Sequence, residues 1–132
     1  GAYVRAEAPS GTPDVLLIAT GSEVQLAVAA REALAGEGVN ARVVSAPSLE
    51  WFAEQDEAYR EAVLPSAIKA RVSVEAGSTL SWHGIVGSTG RSVGIDHFGA
   101  SADYKTLFQK FGITTEAVIA AAHETIAATA AA

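Results

Sequence analysis

Residues 14–38 carry the clearest hydrophobic pattern in the chain: an unbroken apolar run, a short turn and a long apolar helix (DVLLIATGSEVQLAVAAREALAGEG). The run Val15-Leu16-Leu17-Ile18-Ala19 does not alternate, which predicts a strand covered on both faces, as in a parallel sheet. Thr20-Gly21-Ser22 reads as the turn. Ser22 is placed to cap the helix by accepting from a first-turn N–H, and Glu23 meets the positive end of the helix dipole. Gly36 and Gly38 supply the stop. At about 100° per residue, Leu26, Ala30, Ala33 and Leu34 form one arc, expected against the sheet. Val24 and Val28 fall outside that arc, beside Arg31, and only Gln25 and Glu32 make a clearly wet stripe. Either alanine is simply favourable in a helix, or another domain or subunit covers this second side. Val24 and Val28 are the possible interface residues on the second reading.

The flanking segments extend this unit. Residues 2–8 (AYVRAEA) predict a short edge strand blunted by Arg5 and Glu7, and residues 9–13 (PSGTP) a turn cluster. Residues 41–45 (ARVVS) predict a second core strand with Val43 and Val44 buried; strand, helix and strand at this spacing form a right-handed βαβ unit. Residues 47–52 read as a connection whose Trp51 and Phe52 either cap the core, the favoured reading, or touch a partner. Residues 54–63 predict one short helix, with Tyr59, Ala62 and Val63 on one face and Leu64-Pro65 as its stop. Its charges, including Glu54, Asp56 and Glu57, are read as a solvated face.

Residues 70–75 (ARVSVE) predict a third strand, half exposed because Val72 and Val74 alternate with Arg71 and Ser73. A short helix over residues 80–86, a loop over 87–90 and a last short strand over 92–96 follow. Ser101 is the expected cap of a helix with Tyr104, Leu107, Phe108 and Phe111 on one stripe, closed by Gly112. Thr114 is expected to cap a final helix that buries Val118, Ala122 and Ile126 beside Ile119, with residues 127–132 as a fraying tail. The predicted architecture is an α/β three-layer sandwich on a mainly parallel sheet of about five strands, one of them an antiparallel edge strand. Residues 1–13 form the edge strand and linker, 14–127 the α/β domain and 128–132 the tail.

With 49% apolar and 18% charged residues, the chain has the composition of a cored domain. Its formal net charge of -6 and lack of a Lys/Arg cluster argue against nucleic acid and anionic membrane as partners. No apolar run reaches the length of a membrane span, and no signal peptide is seen. There is no cysteine, hence no disulfide or thiolate chemistry, which is compatible with a cytoplasmic location. A start at Gly1-Ala2 with no Met leads us to expect a piece of a longer product, or one with its initiator removed.

Catalytic signals are sparse. The turn at Gly21 has neither a G-x-G-x-x-G pattern nor a P-loop lysine, and Glu23 would repel a phosphate there. His83, His97 and His123 fall in no metal-binding spacing, so no metal ligand is assigned. Asp96, His97 and Ser101 do not make a triad, since adjacent Asp and His point apart and Ser101 serves as a cap. Glu75 ends a predicted strand, where α/β folds place ligands, although the favoured reading is that it accepts hydrogen bonds from the following turn.

Several segments together resemble the C-terminal domain of transketolase: residues 14–30, 38–52, 55–65, 70–77, 94–102 and 107–122. ATGSEV is shared with related thiamine-diphosphate enzymes; YREAVLP, VEAG and FGASA make transketolase the specific match. Ala46 stands where that family usually has a Met before Pro47. The resemblance implies a transferase of the pentose phosphate pathway that moves a two-carbon ketol unit between sugar phosphates. It also implies thiamine diphosphate and a divalent metal (Mg or Ca) as cofactors, in a homodimer whose chains each have three α/β domains. The cofactor- and substrate-gripping motifs belong to the other two domains, so no catalytic, cofactor-binding or metal residue is carried onto this chain. The role implied here is structural, at the subunit interface, with the remaining domains and a second subunit as partners. The alternatives are a module of a 2-oxo-acid dehydrogenase β subunit or of a deoxyxylulose-phosphate synthase, or a free-standing α/β ligand-binding module.

Overall fold

A computed structural model describes residues 1–75, 82–94 and 112–132. Its strands are β1 (Tyr3–Ala6), β2 (Val15–Ala19), β3 (Ala41–Ser45), β4 (Arg71–Glu75) and β5 (Arg91–Gly94). Its helices are α1 (Val24–Gly36), α2 (Leu49–Glu54), α3 (Glu57–Val63), α4 (His83–Val86) and α5 (Thr115–Ala131). The sheet order is β1-β3-β2-β4-β5, with β1 antiparallel to β3 and the other pairs parallel. The turn expected after Glu75, the end of the strand expected over 92–96 with Asp96, the following His97, and the helix capped by Ser101 with Tyr104, Leu107, Phe108 and Phe111 lie outside the described residues.

Alternation along β2 explains its unbroken apolar run. Val15, Leu17 and Ala19 join Val43, Val72 and Val74 in a core roofed by α1 and α5. Leu16 and Ile18 join Val44 in a second core with Phe52, Val63, Leu64 and Trp82. Each residue of β2 is fully buried, so a period of two within one apolar run feeds two layers.

The stop of α1 is a Schellman motif: Val39 N–H donates to Leu34 O at 2.9 Å and Gly38 N–H to Ala35 O at 3.0 Å. Gly38 sits at φ 79°, where a side chain would be strained. The start of α1 differs from expectation. Residues 21–23 form a 3₁₀ turn, the helix begins at Val24, and Ser22 makes no cap. Its hydroxyl instead donates to Glu23 Oε1 at 3.1 Å. The buried stripe of α1 is Ala27, Ala30 and Leu34; Leu26 is half-buried and Ala33 exposed. This roll sets small side chains where α1 meets the small residues Ala121 and Ala122 of α5 in one core.

Side-chain caps also reshape the segment after β3. Ser48 Oγ accepts from Trp51 N–H at 3.2 Å and starts α2 where a connection was expected. Asp56 Oδ1 accepts from Tyr59 N–H at 2.8 Å and caps α3, so the helix expected over 54–63 starts at Glu57 and Glu54 ends α2 instead. The two aromatics therefore part: Phe52 enters the core, while Trp51 is 65% exposed. On α3, Val63 is buried but Ala62 is exposed.

β4 is not half exposed. Lying between β2 and β5, it buries Val72, Ser73 and Val74, and Ser73 Oγ donates to Ser92 Oγ at 2.8 Å. On α5, Thr114 caps as expected, its Oγ1 accepting from Ala117 N–H at 3.1 Å. Val118 and Ala122 are buried, but Ile126 is only partly so and Thr125 takes the fully buried place. Thr125 Oγ1 donates to Thr89 O at 2.6 Å and accepts from Arg71 N–H at 3.3 Å. The helix runs on to Ala131 through the stretch expected to fray.

Arg42 of β3 is buried and held by Glu7, with Nε to Oε1 at 2.8 Å and Nη2 to Oε2 at 3.0 Å. Its Nη1 donates to Ala62 O and Val63 O, tying α3 to the sheet. The Arg42 hydrogen bonds lower the Glu7 pKa below its ordinary 4.5; the Ala8 N–H and the Arg42 and Arg31 charges add to this, against partial burial. An acid with a depressed folded pKa stabilises above its unfolded pKa, and that contribution vanishes as pH falls through the folded value. Glu7→Gln is therefore expected to be less stable than the parent at neutral pH, with the gap closing below about pH 4.5. Urea melts across a pH series measure this, and a pH-independent gap would contradict the pairing.

Candidate functional site at the carboxyl end of the sheet

Strands β2, β3, β4 and β5 all point the same way, so their carboxyl ends share one edge. The chain passes from β2 to its neighbour β3 on one side, then crosses back to β4 on the other. Connections that diverge in this way open a crevice between the ends of β2 and β4. A cavity of about 510 Å³ lies there, lined by Thr20 after β2, Ser48, Leu49 and Glu50 after β3, Glu75 at the end of β4, and Trp82. Trp82 is 2% exposed, and its indole N–H donates to Glu75 Oε2. That bond links the second core to the cleft. Glu23, in the turn after β2, is also buried.

The donor set defines what this cleft can do. Among the described residues its ionisable lining is carboxylate, from Glu50 and Glu75, and its hydroxyls are Thr20 and Ser48. Ser48 is already committed to capping α2. The two described histidines lie elsewhere: exposed His83 lines a separate cavity beside Arg91, and His123 Nε2 is 3.0 Å from Glu37 Oε1 on the outside of the α1 end. Such a cleft accepts hydrogen bonds and favours positive charge. Among the described residues no His, Cys, Asp and Glu side chains gather in a group suited to a metal ion.

Of the residues singled out in the sequence, Glu75 reaches the cleft. Val24 and Val28 are half-buried and pack against the α1–α5 core. Asp96, His97 and Ser101 lie outside the described residues. Sequence reasoning favoured a core-capping place for Trp51, which is exposed, and passed over the hydrogen bonding of Arg71 and the Glu7–Arg42 pair. A usable signal existed for Arg42, since a charge inside a doubly covered strand requires a partner.

A family model described as the Transketolase-like TK C-terminal domain matches residues 1–114. This chain belongs to the transketolase family. A curated transketolase of Mycobacterium tuberculosis (strain H37Rv) is 56% identical over 130 residues, covering 96% of this chain and 19% of its own length. A chloroplastic transketolase of Craterostigma plantagineum is 55% identical over 127 residues, covering 96% of this chain and 24% of its own length. The solved transketolase from Leishmania mexicana superposes with a TM-score of 0.86 at 42% identity, over 96% of this chain and 18% of that one. The chain thus spans about a fifth of the length of the transketolases it matches, as their C-terminal domain. The transketolase match also settles the choice among related thiamine-diphosphate enzymes, and the five-stranded sheet with one antiparallel edge strand agrees with the family fold.

Proposed function

We propose that this chain is the non-catalytic C-terminal lobe of a transketolase. The whole enzyme would move a two-carbon ketol unit between sugar phosphates, with thiamine diphosphate and a divalent metal held by its other domains. One observation carries this reading: a family match confined to about a fifth of the relatives' length falls on a domain whose cleft, among the described residues, offers carboxylates as its charged groups. That cleft does not fit the cofactor, because a diphosphate needs cationic or metal-bearing partners and Glu50 and Glu75 repel it. No reaction step is therefore routed through these residues. The domain contributes area for packing against the remaining domains and a second subunit of a homodimer. Val24 and Val28 are part of that surface on this reading. We place the enzyme in the cytoplasm; among the described residues no helix is long and apolar enough to cross a membrane.

The isolated 132-residue chain, given thiamine diphosphate, Mg²⁺ and a ketose phosphate donor, is expected to show no ketol transfer. Measurable turnover would end this reading. Val24→Glu in the whole enzyme is expected to shift its sedimentation toward monomer. Because Val24 also touches the core, a urea melt of the same variant in the isolated chain separates lost pairing from lost folding. An unchanged dimer would remove Val24 from the interface.

A further inference from the structure

We infer that the carboxyl-end cleft and Trp51 together form a docking surface for a cationic side chain from the part of transketolase outside this chain. The inference rests on the supporting-lobe reading and deepens it by naming a face and a partner chemistry. Trp51 is 65% exposed, while the other tryptophan, Trp82, is 2% exposed. Trp51 directly follows Leu49 and Glu50 on the first turn of α2, and both of those line the cleft. Tryptophan is enriched among the residues that anchor interfaces, and Trp51 is the residue next in the chain to two that line the cleft.

Charge selects the occupant. Among the described residues the lining includes Glu50 and Glu75 and no basic side chain. Trp82 supplies one donor to Glu75 Oε2, and the carboxylate keeps lone pairs for further donors. The cleft's volume of about 510 Å³ is ample for the end of an arginine or lysine. An arginine entering the cleft would meet carboxylate acceptors with its planar fork of donors, and the neighbouring exposed Trp51 offers a ring of the kind that attracts a guanidinium. The chain itself carries a net charge of -6, so a second copy of this domain is a poor electrostatic match for an acidic cleft.

Hydroxyl-radical footprinting read by mass spectrometry tests this on unmodified side chains. In the isolated chain Trp51 should oxidise rapidly and Trp82 slowly. In the whole enzyme Trp51 oxidation should fall severalfold while Trp82 stays slow. Glu50→Lys in the whole enzyme should return Trp51 oxidation to the isolated-chain rate, and Glu50→Gln should do so in part. Equal Trp51 oxidation in the two forms would overturn the docking surface. Protection that survives Glu50→Lys would overturn the cationic partner in favour of an apolar one. Protection that appears in the isolated chain as its concentration rises would show a second copy to be the occupant and would also overturn it. Ketol transfer measured on the same whole-enzyme sample keeps the two readings apart. An active enzyme with unprotected Trp51 refutes the surface alone. An inactive one with protected Trp51 refutes the assigned activity alone.

Discussion

Gly90→Ala is expected to lower the stability of the chain by about 3 kcal/mol, at the upper end of overpacking costs. A Cβ built on Gly90 would lie 2.3 Å from Val86 O, 2.5 Å from Val86 Cβ and 2.7 Å from Val86 C. Two of those three atoms are backbone, so rotation of a flexible side chain cannot relieve the clash. The turn that brings them together is tightly specified. Gly87 N–H donates to His83 O at 3.1 Å, Gly90 N–H to Gly87 O at 3.3 Å, and Gly87 sits at φ 75°. Restricting the unfolded chain by removing a glycine returns only about 0.4–1 kcal/mol, too little to offset the clash. Relief would require α4 to shift away from β5, and Val86 on α4 is buried. A urea melt compared with the parent chain measures the loss, which a single domain of this size should show as one transition. A variant within 0.5 kcal/mol of the parent, the ordinary range for surface substitutions, would show that the turn relaxes freely.

Arg71→Met is expected to cost about 3–4 kcal/mol, because each carbonyl left without its donor costs on the order of 1–3 kcal/mol and water reaches only some of them. Arg71 starts β4 and gathers the connections around it. Its Nε donates to Ile68 O at 2.9 Å, Nη1 to Ile85 O at 2.8 Å, and Nη2 to Pro65 O at 2.9 Å and Leu64 O at 3.4 Å. One guanidinium thus joins the end of α3, the approach to β4 and the body of α4. Burial lowers its pKa, with the Glu61 charge acting against that shift, yet a guanidinium remains protonated at any pH the fold survives. Methionine matches much of the stem and keeps the packing, so the loss reports the hydrogen bonds. Arg71→Lys should recover part of it, since an ammonium cannot reach carbonyls spread over a planar fork. If Arg71→Met were as stable as the parent, those carbonyls would have found other donors. Because Arg71 grips Ile85 O and Gly90 presses on Val86, the Gly90→Ala and Arg71→Met losses should not add.

The sequence by itself determined the strand–helix–strand unit, the three-layer class and the family. VLLIA reads as a doubly covered strand, Gly36 and Gly38 as the stop of the helix, and the transketolase-like segments run along most of the chain. These are local features, legible because each depends on a residue and its close neighbours. Only the tertiary structure decided that Ser22 turns to Glu23 instead of capping, that Ser48 and Asp56 each start a helix, and that β4 buries Ser73 along with Val72 and Val74. It alone paired Arg42 with Glu7 across 35 residues and Thr125 with Thr89 across 36. It also sent Phe52 inward and Trp51 outward, although the two are adjacent in the chain. The physical reason is that a polar side chain's partner, or the face a helix presents, depends on which segments converge in space. Hydrophobic period records burial on a local element, but it carries no record of what lies across the gap.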